Sequence, residues 1–227
     1  MGRTVAIIPA RGGSKGLPGK NWRDFCGKPL VRWSVEQALA AETVDEVIVS
    51  SDSVDVYDAV QGMSVTWRQR PLALAGDTVA TAPVLIDVLE SLDPKPDAVV
   101  LLQPTSPLRL PGDIDNCVRR LDTGFNSLLS VYKSHHFIYR HIGSEVLKPE
   151  NHNPKRWPRR QEMNQYSSNG SIYTMRPAGL QREQTMLFDT IGFYEMPEYT
   201  AHQIDSEFDW DMVEWIMKTK ILEGVGV

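Results

Sequence analysis

Short apolar runs alternate with amphipathic stretches through the first two-thirds of the chain, and this rhythm constrains the fold more than any other feature of its 227 residues. Val5–Ile8, Val47–Val49, Val65–Trp67, Asp97–Leu102 and Ser127–Val131 read as strands. Between them, Leu30, Val31, Val35, Ala38 and Leu39 recur at helical spacing behind Pro29, a residue suited to a first helical turn. Ala82–Leu92 and Gly112–Leu121 read as further helices. Apolar strands separated by helices imply a mostly parallel sheet covered on both faces, an α/β fold in three α/β/α layers. Strand character returns at Ser171–Met175 and Thr190–Tyr194, and a last helix begins near Asp205 or Ser206. The length suits a single domain over residues 1–227. The rhythm breaks over residues 143–164, a polar and basic stretch with Pro149, Pro154 and Pro158 and no evident period. A long irregular segment in a compact domain is expected to be functional or to belong to an interface.

Charge and cysteine usage narrow the function classes. The 24 Lys and Arg against 29 Asp and Glu give a net charge of -5, the wrong sign for general nucleic-acid binding. A phosphorylated small ligand needs only a few clustered cations and remains open. Cys26 and Cys117 stand far apart with no disulfide framework, as expected of a reduced, cytoplasmic protein. Val5–Ile8 is too short for the apolar core of a signal peptide, and no later stretch approaches a membrane span, so no membrane association is expected.

Directly after the first strand comes Arg11-Gly-Gly-Ser-Lys-Gly-Leu-Pro-Gly-Lys-Asn21. Its glycines permit close backbone approach, and Arg11, Lys15 and Lys20 place three cations just past a strand's carboxyl end, where open α/β sheets bind ligands. Backbone N–H groups with ammonium and guanidinium groups suit a triphosphate. The loop matches neither the P-loop pattern nor the dinucleotide GxGxxG pattern, which disfavours an oxidoreductase; a solvated basic turn is the plain alternative. At the far end, Ser206 and Asp209 have capping-box spacing, so Asp205 is either a helix-entry residue or a functional carboxylate. The five histidines show no zinc spacing, and there is no nucleophile elbow.

These residues carry a family likeness. IIPARGGSKGLPGKN resembles the opening signature of the acylneuraminate cytidylyltransferases, the CMP-sialic acid synthetases. RPLALAGDT from Arg70, LLQPTSPLR ending at Arg109, Pro158-Arg-Arg-Gln161, Asn169-Gly-Ser-Ile-Tyr173 and Ile204-Asp205 are similar to further segments of that family, in the same order. The resemblance implies a nucleotidyltransferase fold and transfer of CMP from CTP to the anomeric hydroxyl of a sialic acid, an acidic nine-carbon sugar, with release of pyrophosphate. The Ser-Lys-Gly loop and Thr105 favour the nine-carbon acids over the eight-carbon acid Kdo.

Carried over residue by residue, the resemblance implies that Arg11, Lys15 and Lys20 neutralise phosphate charge in catalysis. Arg11, Ser14, Lys15, Lys20 and Asn21 would hold the triphosphate and ribose, with Arg70, Ala80 and Thr81 beside the cytosine and its ribose. Gln103, Arg159, Asn169 and Tyr173 would meet the sugar, Arg159 through its carboxylate. Asp205 would bind Mg2+; the family usually has a second Asp where this chain has Gln203, which offers only an amide oxygen. Taken without the resemblance, the plainer readings are favoured: Ser14 and Asn21 as turn formers, Gln103 as a strand-end residue that satisfies backbone and Tyr173 as a core residue. Two further departures, Ser167-Ser168 and Met186-Leu187 on the sugar side, keep legionaminate, pseudaminate and Kdn open as acceptors, and a catalytically silent nucleotide-binding protein is the rival of a different class. Residues 143–164 are expected to form a small protruding dimerisation arm of a homodimer, anchored by Trp157 among Arg156, Arg159 and Arg160.

Overall fold

The computed structural model describes residues 2–223, with Arg160 described by its backbone alone; the two ends of the expected 1–227 domain and the Arg160 side chain lie outside the described residues. In chain order the elements are β1 (Thr4–Pro9), β2 (Asp24–Phe25), β3 (Lys28–Pro29), α1 (Leu30–Leu39), β4 (Glu46–Ser51), α2 (Val54–Val60), β5 (Thr66–Gln69) and α3 (Thr81–Glu90). There follow β6 (Ala98–Leu102), α4 (Asp113–Leu121), β7 (Ser127–Ser134), β8 (Tyr139–His141), β9 (Leu147–Pro149), β10 (Gln165–Met175), α5 (Pro177–Glu183), β11 (Ile191–Glu195) and α6 (Glu207–Ile216). A π-helical turn, Met217–Leu222, continues α6.

Seven strands form one sheet in the order β11-β7-β10-β6-β1-β4-β5. All neighbours run parallel except β10, which is antiparallel to β6 and β7 on either side. Strand β1 pairs with β4 on one side and β6 on the other, so the strand order reverses beside β1 and leaves a crevice beyond its carboxyl end.

The period-two alternation of β1 builds both cores. Ala6 and Ile8 face Val31 and Val35 of α1, Val56 of α2 and Val118 of α4. Val5 and Ile7 face Leu85, Val88 and Leu89 of α3 and Leu180 of α5. Each such fully buried large side chain contributes about 1.5–3 kcal/mol. The third cluster packs α6, through Trp210, Val213 and Ile216, on Leu17, Phe25 and Leu30.

Several elements depart from the sequence reading, among them the short β2–β3 pair. Helices α2 and α5, seven residues each, were not anticipated. The segment expected to be aperiodic from 143 contains β9, which pairs with β8 in a hairpin that starts earlier, at Tyr139. Its strands are almost wholly exposed, so no burial alternation marks them in the sequence.

Candidate active site

A cleft of about 190 Å³ opens at the crevice and is lined by Arg11, Lys20, Asn21, Arg70, Ala80, Thr81 and Gln103, among others. Residues expected at the nucleotide thus arrive from three separate segments, and Gln103, expected at the sugar, from a fourth. Asn21 is buried, and its Nδ2 donates to the Arg11 carbonyl at 2.8 Å, which fixes the amide's orientation. Its Oδ1 is buried without a partner and can accept only from a ligand or water. Arg70 is buried too; its Nη2 donates to the Ser50 carbonyl at 2.7 Å, and burial brings its pKa down to about 10. The Lys20 ammonium donates to the Ile204 carbonyl at 2.8 Å and to Asp205 Oδ1 at 2.9 Å. This tie lays the cationic loop against the segment that precedes α6. Gly16 is required there, since a Cβ would stand 2.5 Å from the Asp205 carbonyl oxygen.

The loop's other two cations share one carboxylate. Arg11 Nη1 lies 2.5 Å from Asp77 Oδ1, and Lys15 Nζ 2.9 Å from Asp77 Oδ2. Lys15 and then Arg11 hold the Asp77 carboxyl below its ordinary range. Asp52 accepts from the Gly12 amide at 2.8 Å and so anchors the start of the loop. Ser14 is half-buried on that loop, beside the exposed Lys15.

Across the cleft, Gln103 follows the last residue of β6. Its carbonyl accepts from Arg109 Nη2 at 2.8 Å and from the Ser106 amide at 3.1 Å. Arg109 is fully buried and also donates to the Ser171 carbonyl, Ser34 Oγ and Gln37 Oε1 at 2.9–3.0 Å. No carboxylate is among those partners, and burial pushes its pKa down to about 9.

Three of the four expected sugar contacts lie outside the cleft lining. Asn169 does not face the cleft: it is 0% exposed, its Oδ1 accepts from Ser130 Oγ at 2.6 Å, and its Nδ2 donates to Thr200 Oγ1 at 2.9 Å. The cause is a register shift in β10 between Ser168 and Tyr173, which turns this stretch out of simple alternation. Arg159 is exposed in the irregular stretch after β9 and is not among the cleft-lining residues. Tyr173 is half-buried against the α3-side core, with its hydroxyl 3.0 Å from Ser168 Oγ. Gln203 packs its amide over Gly170, whose φ of +69° and missing Cβ make room for it.

The described residues contain no cluster of three or more His, Cys, Asp or Glu side chains able to hold a metal alone. Asp205 is an exposed single carboxylate with one oxygen on Lys20. Sequence reasoning missed Asp77, Asp52 and Arg109 as members of this site; GDT and LLQPTSPLR were visible as segments, but the partners of these residues were not.

A mostly parallel sheet whose switch point carries a cationic, glycine-bearing loop defines an α/β nucleotidyltransferase fold. CMP:2-keto-3-deoxy-manno-octonic acid synthetase, solved with CTP, shares it with a TM-score of 0.73 at 22% identity, over 96% of this chain and 100% of that one. So does 4-diphosphocytidyl-2C-methyl-D-erythritol synthase from Anaerococcus prevotii, with a TM-score of 0.68 at 13% identity over 95% and 98% of the two chains. The chain belongs to the cytidylyltransferase family, whose model matches residues 5–223. It is 34% identical to CMP-N,N'-diacetyllegionaminic acid synthase of Legionella pneumophila over 97% of both proteins. It is 31% identical to N-acylneuraminate cytidylyltransferase of Oncorhynchus mykiss over 92% of this chain, and the match spans about half of that longer relative, 49%.

Proposed function

We propose that the chain transfers CMP from CTP to the anomeric hydroxyl of a sialic acid. The observation that carries this reading is the convergence of Arg11, Lys20, Asn21 and Arg70 on one side of a cleft with Gln103 on the other. The anomeric oxygen attacks the α-phosphorus, the bond to pyrophosphate breaks in line, and the hydroxyl proton is lost to solvent. Such a reaction depends mainly on positioning and charge stabilisation. Lys20, held by Ile204 and Asp205, and Arg11 and Lys15, once drawn from Asp77, neutralise the phosphates. Asn21 Oδ1, fixed as an acceptor, takes a hydroxyl or amino donor of the nucleoside.

Mg2+ fits this arrangement as an ion shared with the ligand. Asp205 has one oxygen on Lys20, and a hard cation held by one carboxylate, phosphate oxygens and water needs no protein cage. Asp205 would hold it, and it would supply charge neutralisation on the phosphates. Gln203, packed on Gly170, adds no charge there.

The homodimer and the cytoplasmic location belong to the same reading. The β8–β9 hairpin exposes Ile142, Val146 and Leu147, and the nearby Trp157 is 62% exposed, an apolar surface suited to a second copy. Two free cysteines, one of them buried, suit a reducing compartment, and no described helix is long and apolar enough to cross a membrane.

N,N'-diacetyllegionaminate is the second acceptor reading, favoured by the end-to-end match to the Legionella synthase. The test is turnover of CTP with N-acetylneuraminate, N,N'-diacetyllegionaminate, pseudaminate and Kdn, with the CMP-sugar identified by mass. A CMP-sugar from the first confirms the proposal, and one from the second alone moves the acceptor. No pyrophosphate release with any of them makes the protein a nucleotide binder only.

A further inference from the structure

The backbone pairing between β6 and β10 ends at the cleft. Its last register pair is Ile172 with Leu102, and the next residues on each strand are Ser171 and Gln103. One long contact follows, from the Gln103 amide to the Ser171 carbonyl at 3.4 Å. Pro104 has no N–H to continue the ladder, and β10 shifts register on its own side. The Ser171 amide donates to Asn169 Oδ1 at 3.2 Å, so the Gln103 carbonyl has no return bond from β10 and the ladder is incomplete here. A single nitrogen of Arg109, Nη2, reaches the carbonyls of both Gln103 and Ser171, at 2.8 and 2.9 Å. Its other terminal nitrogen is braced on α1 by Ser34 and Gln37.

Burying a guanidinium whose hydrogen-bond partners are all neutral, with Asp113 acting on it through charge alone, is costly, and replacing it with apolar side chains is often no worse for stability. Retention of the charge here is better explained by what it orders. We infer that Arg109 is a positioning residue for the acceptor sugar: its guanidinium stands in for the missing rung and fixes the main chain from which Gln103 reaches the cleft. The inference rests on the reading of Gln103 as an acceptor contact. Lysine offers a point charge and cannot span α1 and both carbonyls with a planar fork, so Arg109→Lys keeps charge but not geometry.

The experiment is a double-mutant cycle of Arg109→Lys and Gln103→Ala in the full chain, with CTP and whichever of N-acetylneuraminate, N,N'-diacetyllegionaminate or pseudaminate the unmodified protein turns over. Arg109→Lys is expected to raise the acceptor KM roughly tenfold and to leave the CTP KM within about twofold, and its effect should vanish in the Gln103→Ala background. Losses that multiply in the double variant, or an equal rise in both KM values, overturn the inference and leave Arg109 a stability residue. Gln103→Ala with an unchanged acceptor KM overturns the acceptor reading of Gln103 itself. If Arg109→Lys does not fold, Gln37→Leu replaces it in the same cycle; it loosens one brace on Arg109, and the same outcomes decide.

Discussion

Lys20 and Asp205 stand 185 residues apart in sequence and 2.9 Å apart in the fold, which makes this pair the most sensitive reporter of the site. Lys20→Ala is expected to lose about 2–4 kcal/mol of transition-state stabilisation while the protein stays folded. Near-normal kcat/KM in a folded variant would rule out its catalytic role. Asp77 points the other way. It occupies Arg11 and Lys15, so Asp77→Asn should tighten pyrophosphate binding severalfold in calorimetry, and weaker binding would mean that the carboxylate presents the cations instead of covering them. Because its folded pKa is depressed, Asp77 stabilises the fold above the ordinary carboxylate range, about pH 4, and that share is lost as pH falls through the folded value. Asp77→Asn should therefore flatten the acid limb of the stability profile. At this scale the sequence indicated which loop residues gather at one cleft, Arg11, Lys20 and Asn21, because they sit on one short loop. It did not reveal the register shift that sends the Asn169 side chain inward, and was silent on Arg109, whose partners Ser34 and Ser171 lie 75 and 62 residues away.

Helix α6 shows how far local spacing reaches. Ser206 and Asp209 form the capping box that their spacing predicts: the Asp209 amide donates to Ser206 Oγ, and Asp209 Oδ2 accepts from the Ser206 amide at 2.9 Å. Asp205, one residue earlier, is turned to Lys20 instead. The two carboxylates should separate cleanly. Asp209→Asn is expected to cost about 1 kcal/mol in denaturant unfolding with little change in rate, and Asp205→Asn to remove most Mg2+-dependent turnover with little change in stability. If the effects are exchanged, Asp205 is a cap residue only. Elements escaped notice when burial left no pattern: the Tyr139–Pro149 hairpin is mostly solvated, and α2 begins Val-Asp-Val, an alternation that reads as strand.

For the molecule as a whole, the strand–helix rhythm implied the parallel layers, but not that β10 would run antiparallel in their midst, since that depends on pairings far apart in the chain. Trp157 packs against Phe137, its ring tilted and 4.3 Å away between centroids, and remains largely exposed, so Trp157→Ala is expected to weaken the proposed self-association in sedimentation. A monomeric parent protein would refute the dimer. Mixing Arg159→Ala with Lys20→Ala subunits should restore activity if the arm completes the partner's site, and no recovery would place it in its own. Strand β10 adds a mechanical point. Its first part, Gln165–Ser168, pairs only with β7, and its last part, Ile172–Met175, is held by β6. The two-strand ribbon that leads to the hairpin is thus the same backbone that ends under Tyr173 and Ser171. Whatever grips the hairpin is coupled through β10 to the β6 end of the cleft, where Gln103 lies, and reaches the cationic loop only one strand further on, through β1. On the proposed dimer and acceptor, dilution is expected to raise the acceptor KM more than the CTP KM as protein concentration drops below the dissociation constant of self-association.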